Sequence, residues 1–184
     1  MFFERGNYLY FLRGIKKYLR KHVDILVYSL MPTHYHILGR VTPLQTSEVL
    51  KTSEVLDVSR AVSLVMQKLC ISYTKAINKR FNRVGALFQG QFQGKPVQHY
   101  NHLLNLCVYI HANPVKDGLV ELPEDWEFSN YVEWMNLREG TLVNRDFIID
   151  NFGTPEAYKT LVMEYIQTRY LPEDVKEYLQ KLED

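Results

Sequence analysis

Two short apolar runs near the start of the sequence constrain the fold most. "VDILVYSL" covers residues 23–30 and "HYHILGRV" covers residues 34–41. Both runs have the length and the β-branched composition of strands. Only Met31, Pro32 and Thr33 separate them, so the two segments are close enough to pair. We therefore predict an antiparallel hairpin over residues 23–41.

Helical periodicity of the apolar residues predicts five helices around this hairpin. The third helix should end near Asn113, because Pro114 follows and disfavours helical backbone before it. The fourth begins with Thr154 as N-cap and Pro155 at the first helical position. The predicted helices cover about residues 7–22, 58–80, 98–113, a stretch from 154 onward, and 172–182.

Two further segments complete the prediction of the fold. Residues 86–97, "ALFQGQFQGKPV", are interpreted as one or two short strands with glycine kinks. The sequence "TSEVL" occurs at 46–50 and again at 52–56, which is too short a repeat for a solenoid and suggests a loop or a short helical insertion. Together the elements predict an α+β protein, in which an antiparallel sheet carries helices mainly on one face.

Composition excludes several classes of protein. The chain has 184 residues, of which 46% are hydrophobic and 13% aromatic, as expected for a globular domain. No apolar run approaches the roughly 20 residues of a membrane helix, and the N-terminus does not resemble a signal peptide. Cys70 and Cys107 lie in apolar helical stretches and are expected to pack as small hydrophobic side chains. A cytoplasmic location is the natural expectation.

The charges are distributed unevenly along the chain. Residues 58–116 contain eight Lys and Arg and no carboxylate, whereas residues 117–184 contain six basic and sixteen acidic side chains. A long basic segment attracts a polyanion, although a solvated helix face is the simpler alternative. The basic segment therefore favours, without proving, a nucleic-acid partner.

Two patterns of polar residues suggest a metal site. His34 and His36 alternate along a predicted strand and so share one face, which fits either a divalent metal or merely a polar sheet surface. On the third helix, Tyr109 and Asn113 continue an uncharged polar stripe that begins with His102 and Asn105. Such a stripe suggests a helix face turned towards a functional site. The simpler alternative is that Tyr109 is an ordinary half-buried helix tyrosine.

Four blocks of sequence, in order over about residues 7–131, resemble one family. They are "YSLMPTHYHILGRV", "KLCISYTKAINKRFNRVGALFQGQFQ", "LNLCVYIHANPVKDGLV" and "WEFSNY". These blocks resemble the HUH single-tyrosine transposases, in particular the branch associated with repetitive extragenic palindromes. The resemblance implies that His34 and His36 bind a metal, that Tyr109 is the nucleophile, and that Asn113 is the third metal ligand.

The resemblance also implies an architecture and an activity. It implies a ferredoxin- or RRM-like domain over residues 1–131, followed by an acidic, mostly helical extension over 132–184. Relatives carry a further strand before the first helix, which we expect this chain to lack. The implied reaction is cleavage and rejoining of single-stranded or hairpin DNA through a 5′-phosphotyrosine, with Mg²⁺ or Mn²⁺ as cofactor. Relatives act either as monomers or as homodimers.

DNA contacts are expected from the basic segment and its aromatic residues. The alternative function is a nucleic-acid-binding module that has lost its chemistry. A third possibility, a small histidine–metal hydrolase, is disfavoured because residues 58–116 offer no carboxylate ligand. The residues expected to contact DNA are Lys75, Lys79, Arg80, Arg83, Phe88 and Lys95, with Tyr73, Phe81 and Phe92 as further candidates for base stacking.

Overall fold

The computed structural model describes residues 1–42, 53–90, 92–142 and 144–183, and it confirms the α+β class. The described residues form one two-stranded antiparallel sheet and seven α-helices. The elements are α1 (Arg5–Tyr18), β1 (Val23–Leu30), β2 (Tyr35–Val41), α2 (Ser53–Arg80), α3 (Tyr100–Lys116), a 3-10 helix (Pro123–Asp125), α4 (Tyr131–Trp134), α5 (Arg145–Phe152), α6 (Pro155–Thr168) and α7 (Glu173–Glu183).

The chain divides into two compact units. The first contains residues 1–24 and 39–92, and the second contains residues 25–38 and 93–184. In the first unit α1 packs against α2, and the buried face consists of aromatic and aliphatic side chains. Gly14 of α1 stands directly against the side chain of Leu69 in α2, where an added Cβ atom would overlap the Leu69 methyl group. The absence of a side chain at residue 14 thus allows the two helices to approach closely.

The second unit is built around α3, which packs against α6. Its core contains large aromatic side chains from the C-terminal part of the chain, including the fully buried Trp134 and Tyr158, beside the buried Cys107. Both cysteines of the chain are free thiols. The boundary predicted at residue 131 stays a prediction, but residues on both sides of it contribute to this core.

The hairpin and the last two helices agree with the sequence prediction, whereas α5 was not predicted. β1 covers the predicted residues, and β2 begins one residue later than expected, at Tyr35. A tight turn joins the strands and is closed by the backbone hydrogen bond from Met31 N to His34 O, 2.9 Å long. α6 begins as predicted, because the Thr154 hydroxyl accepts a hydrogen bond from the Ala157 backbone N–H.

Two predictions about local structure are wrong. α3 does not end at Asn113 but continues through Pro114 to Lys116, because a proline this close to the C-terminus removes one helical hydrogen bond without blocking the last turn. Residues 86–90 and 92–97 form no strand. Gly85 and Gly90 both have positive φ angles, 88° and 83°, which interrupt extended backbone at those points.

Two other findings concern the short repeat and the search for membrane-spanning helices. The "TSEVL" copy at 46–50 and the first residue of the second copy, at 52–56, lie outside the described residues. Within the described ranges, no helix has both the length and the apolar character needed to cross a membrane.

Candidate active site

The two histidines of the hairpin lie side by side. His34 occupies the last position of the turn and His36 the second position of β2. Their Nε2 atoms are 3.1 Å apart, and the two rings are nearly perpendicular with centroids 4.8 Å apart. His34 is exposed and His36 is half-buried. The alternation predicted from the sequence therefore holds, although His34 itself precedes the strand.

The neighbourhood of the pair favours the neutral imidazole of His36. Burial, followed by the charges of His34 and Lys116, lowers the pKa of His36 from 6.5 to about 3. A neutral ring keeps a nitrogen lone pair, which is the form that binds metal ions. The Thr33 hydroxyl lies 3.0 Å from Nδ1 of His34. When it accepts a hydrogen bond from Nδ1–H, it fixes the tautomer in which Nε2 of His34 carries the lone pair for a metal ion.

Tyr109 of α3 is adjacent to this pair. Its ring centroid is 6.0 Å from that of His36, and the side chain is 5% exposed. The phenol oxygen accepts a hydrogen bond of 3.2 Å from the ammonium group of Lys116, which also stands 4.7 Å above the centre of the phenol ring. The tyrosine predicted as the nucleophile therefore lies beside the predicted metal-binding pair and under a positive charge.

Asn113 lies one helical turn beyond Tyr109 and is 2% exposed. Its side-chain Nδ2 atom is buried and has no hydrogen-bond partner among the described residues. An unpaired amide N–H in a buried position is costly, and rotation of the carboxamide by 180° would exchange the positions of its nitrogen and its oxygen. The carboxamide is thus available to turn its oxygen towards a ligand.

These residues fit a divalent metal. The separation of 3.1 Å between the two Nε2 atoms is close to the roughly 3.0 Å between neighbouring ligands of an octahedral ion with bonds of about 2.1 Å. The donor set would be two imidazole nitrogens, which suit transition-metal ions, and one amide oxygen, which with water also suits Mn²⁺ or Mg²⁺. Across the described part of the chain, the histidine pair included, no group of three or more His, Cys, Asp or Glu side chains could hold a metal ion, so a site here would depend on the Asn113 amide and water as further ligands.

A buried polar network fixes α3 against the hairpin strand β1. Asn130 donates from Nδ2 to the Leu26 carbonyl at 2.9 Å and accepts at Oδ1 from the Tyr28 N–H at 2.7 Å. His111, which lies on α3 between Tyr109 and Asn113, contacts the same Oδ1 through Nε2 at 3.0 Å. The network thereby sets the position of the helix that carries the nucleophile.

Neither this network nor the role of Lys116 was predicted from the sequence. The residues of the network are far apart in the chain, so no local spacing identifies them. Lys116 does have a signal, because it lies seven residues after Tyr109 and therefore on the same helix face. Because the helix was expected to end at Asn113, Lys116 was not placed on the same helix face as Tyr109.

The rest of the polar stripe on α3 serves other contacts. His102 is 8% exposed, and its Nε2 lies 2.7 Å from a carboxylate oxygen of Asp174 in α7. Asn105 donates to the carbonyl of Asn101, one turn earlier. The expectation that all four stripe residues face one site is therefore wrong, because the first two are taken up by packing and by helix contacts, and only Tyr109 and Asn113 remain as candidates.

The residues expected to contact DNA are placed variously. In the first unit Lys75 and Lys79 are exposed on α2, while Arg80 pairs with Glu4 at 3.1 Å. Arg83 stacks over the ring of Phe3, and Phe88 is half-buried. Lys95, in the second unit, is exposed.

The stacking candidates differ in exposure. Tyr73 is fully buried against Phe11 and Phe2, so its expected role in base stacking is wrong, because packing of α1 on α2 occupies its ring. Phe92 is 40% exposed, and the ring of Phe81 lies 5.0 Å from that of Phe3.

Comparison with known proteins supports the resemblance to the transposase family. Over 108 residues, 59% of this chain, the sequence is 23% identical to a protein of Haemophilus influenzae (strain ATCC 51907 / DSM 11121 / KW20 / Rd) named a REP-associated tyrosine transposase. The match spans 58% of that protein's length. No family model matches the chain, and no solved structure matches it. The family resemblance predicted from the sequence blocks is thereby confirmed at the level of a distant relative.

Proposed function

We propose that this chain, like the tyrosine transposase it resembles, cleaves and rejoins single-stranded DNA through a covalent phosphotyrosine. The observation that carries the proposal is the distance of 6.0 Å between the ring centroids of His36 and Tyr109. This distance brings together the predicted nucleophile and the predicted metal-binding pair, which come from separate elements. The similarity to a named transposase supports the same chemistry.

The reaction exchanges one phosphodiester for another. The phenol of Tyr109 loses its proton to solvent, and its Oη atom attacks the scissile phosphorus. The Oη–P bond forms as the bond from phosphorus to the 3′-oxygen breaks, and that oxygen takes a proton from solvent. The products are a 5′-phosphotyrosine and a free 3′-hydroxyl. Because the phosphotyrosine is still a diester, rejoining by a 3′-hydroxyl needs no nucleotide cofactor.

His34, His36 and Asn113 are the residues that would hold the metal ion, either Mg²⁺ or Mn²⁺. When bound, the ion polarises the scissile phosphate and stabilises the negative charge that develops on it. The protein's own part is to keep the imidazole of His36 neutral and adjacent to that of His34, and to hold Tyr109 next to them. The turn, the hairpin and the network around His111 provide that rigidity.

The substrate we propose is single-stranded or hairpin DNA. Residues 58–116 carry eight basic side chains and no carboxylate, which supports binding to a phosphate backbone. Lys75 and Lys79 offer exposed charges on one helix, and Phe92 offers an exposed ring for stacking.

Covalent capture tests the proposal. The full chain is incubated with Mn²⁺ and single-stranded DNA hairpins that have random flanks and a fluorophore at the 3′ end, since the 5′-phosphate of the downstream fragment would become attached. Denaturing gels should show a labelled protein band that EDTA abolishes. Tyr109→Phe should lose the band and keep DNA binding.

The matched control for this assay is Tyr100→Phe. Tyr100 lies on the same helix, is 58% exposed, and donates its hydroxyl proton to Asn151 at 2.7 Å, so its loss should leave the band intact. Salt-dependent DNA binding by the unaltered chain without any covalent band would instead favour the alternative, a binding module without chemistry.

A further inference from the structure

Lys116 contacts the phenol oxygen of Tyr109 directly. Its Nζ atom donates a hydrogen bond of 3.2 Å to that oxygen and stands 4.7 Å above the ring. A cation in both positions interacts with the oxygen charge and with the face of the ring. The continuation of α3 through Pro114 places Lys116 there, two turns beyond Tyr109.

The burial of Tyr109 opposes the ionisation of its phenol. A phenol ordinarily ionises near pH 10, and Tyr109 is 5% exposed. Burial favours the neutral phenol over the phenolate, yet attack on phosphorus requires the phenolate. A positive charge at hydrogen-bond distance acts in the opposite direction and favours the phenolate.

The same ammonium group influences the residues around Tyr109. The ammonium charge stands over the Tyr109 ring, whose centroid lies 6.0 Å from that of His36. It also opposes the effect of burial on Tyr165, whose ring centroid lies 6.2 Å from that of Tyr109. Lys116 therefore lies within electrostatic range of each of these side chains.

We infer that Lys116 is a further catalytic residue, which stabilises the phenolate of Tyr109. In cleavage the phenol proton leaves to solvent, Lys116 keeps its own proton, and the Oη–P bond forms as the P–O3′ bond breaks. In rejoining the 3′-oxygen attacks phosphorus, and Tyr109 departs as a phenolate under the same ammonium. One residue thus assists both directions, because the nucleophile of cleavage is the leaving group of rejoining. The catalytic part of this inference rests on the proposed function.

The first test measures the ionisation of Tyr109 without DNA or metal. The full chain is labelled with ¹³Cζ-tyrosine, and the Tyr109 resonance is assigned by its absence in Tyr109→Phe. In Lys116→Met, which keeps the length of the side chain and removes the charge, Tyr109 should titrate at a higher pH than in the unaltered chain. Lys116→Arg should restore the original titration, and the exposed Lys176→Met on α7 should leave it unchanged.

The second test measures the single-turnover rate of covalent capture against pH. At pH 7 the rate of Lys116→Met should fall by roughly tenfold for each unit by which the Tyr109 pKa rises, and the deficit should shrink as the pH increases. Lys116→Arg should recover most of the rate. Circular dichroism checks that each variant is folded, as expected for substitution of an exposed side chain.

The outcomes separate the two proposals. If the unaltered chain forms no covalent band, the proposed function fails, while the NMR titration still decides whether Lys116 stabilises the phenolate. Identical Tyr109 titrations in the unaltered chain and in Lys116→Met would overturn the inference. A Lys116→Met variant that only binds DNA more weakly, with an unchanged pH profile, would also overturn it, since Lys116 would then be a phosphate contact alone.

Discussion

His111 and Asn130 are joined by a buried hydrogen bond of 3.0 Å between Nε2 of the imidazole and Oδ1 of the amide. The same Oδ1 accepts from the Tyr28 N–H, so the amide oxygen is the acceptor and the proton lies on Nε2 of His111. Nδ1 therefore accepts from the Tyr158 hydroxyl, 2.7 Å away. The ring is neutral, and both of its nitrogens are paired.

Replacement of His111 by alanine should destabilise the protein strongly. The change leaves the Tyr158 hydroxyl without its partner in a fully buried position and creates a cavity between α3 and its neighbours. We expect a loss of about 2–4 kcal/mol in the free energy of unfolding, measured by urea denaturation. The exposed His99 provides the matched control, and His99→Ala should change stability by less than about 0.5 kcal/mol. Equal effects of the two substitutions would contradict a structural role for His111.

His111 also predicts a loss of stability in acid. Burial lowers its pKa from 6.5 to about 3, against the opposing hydrogen bond with Asn130. In the unfolded chain the imidazole titrates near pH 6.5. As the pH falls from about 6.5 to about 3, the unfolded state binds a proton that the folded state does not, so stability present above pH 6.5 is lost progressively. One such proton costs about 1.4 kcal/mol per pH unit.

The contribution of His111 can be isolated by comparison with His111→Gln, which keeps a donor and an acceptor but does not titrate. Urea midpoints at pH 7.5, 6, 5 and 4 should fall more steeply for the unaltered chain than for the variant. Carboxylates and His36 titrate in both proteins and cancel in the comparison. Parallel curves for the two proteins would show that His111 is not buried in its neutral form.

Features that depend on the local sequence pattern were predicted correctly. Alternation brought His34 and His36 to one face, and the Thr154–Pro155 pair located the start of α6. The contacts of His111 were not predictable, because its partners Asn130 and Tyr158 are distant in the chain and only folding brings them together. The polar stripe on α3 did not predict the surroundings of all four of its residues. The spacing of residues within one helix does not show that His102 is paired with Asp174 of a later helix.

The predicted end of α3 and the predicted strands at 86–97 were wrong because the structural effect of a proline or a glycine depends on its position. Proline disfavours helix before it, but in the last turn that cost is one hydrogen bond, so α3 extends to Lys116. The aromatic and glycine-rich run at 86–97 has strand composition. Gly90 adopts left-handed backbone instead, with φ of 83°.

Gly14 in the first unit should tolerate no side chain. An alanine Cβ would overlap the side chain of Leu69, which is 1% exposed and has little room to move. We expect Gly14→Ala to lower the free energy of unfolding by about 1–2 kcal/mol despite the better helix propensity of alanine. Gly6→Ala is the control on the same helix, because the nearest atom to its new Cβ would be 3.6 Å away.

A double substitution sharpens this prediction. Leu69→Ala removes the overlapping atoms, so Gly14→Ala should cost less in that background than alone, which is a coupling measurable by a double-mutant cycle. Gly6→Ala should be neutral or stabilising by up to about 1 kcal/mol in either background. If Gly14→Ala behaves like Gly6→Ala, the close approach of α1 and α2 at this position is refuted.

Thr33 should tune the affinity of the histidine pair for a metal. Its hydroxyl lies 3.0 Å from Nδ1 of His34 and can hold the tautomer in which Nε2 ligates. Thr33→Val keeps the shape of the side chain and removes that partner, so Mn²⁺ should bind about ten- to a hundredfold more weakly, as is usual when the partner of a ligating histidine is lost. Electron paramagnetic resonance of free Mn²⁺ measures the affinity without reference to activity. His34→Ala should abolish the binding, whereas Thr160→Val, on the surface of α6, should leave it unchanged. Undiminished Mn²⁺ binding in His34→Ala would place the metal elsewhere, and undiminished binding in Thr33→Val alone would show that the backbone turn suffices to orient His34.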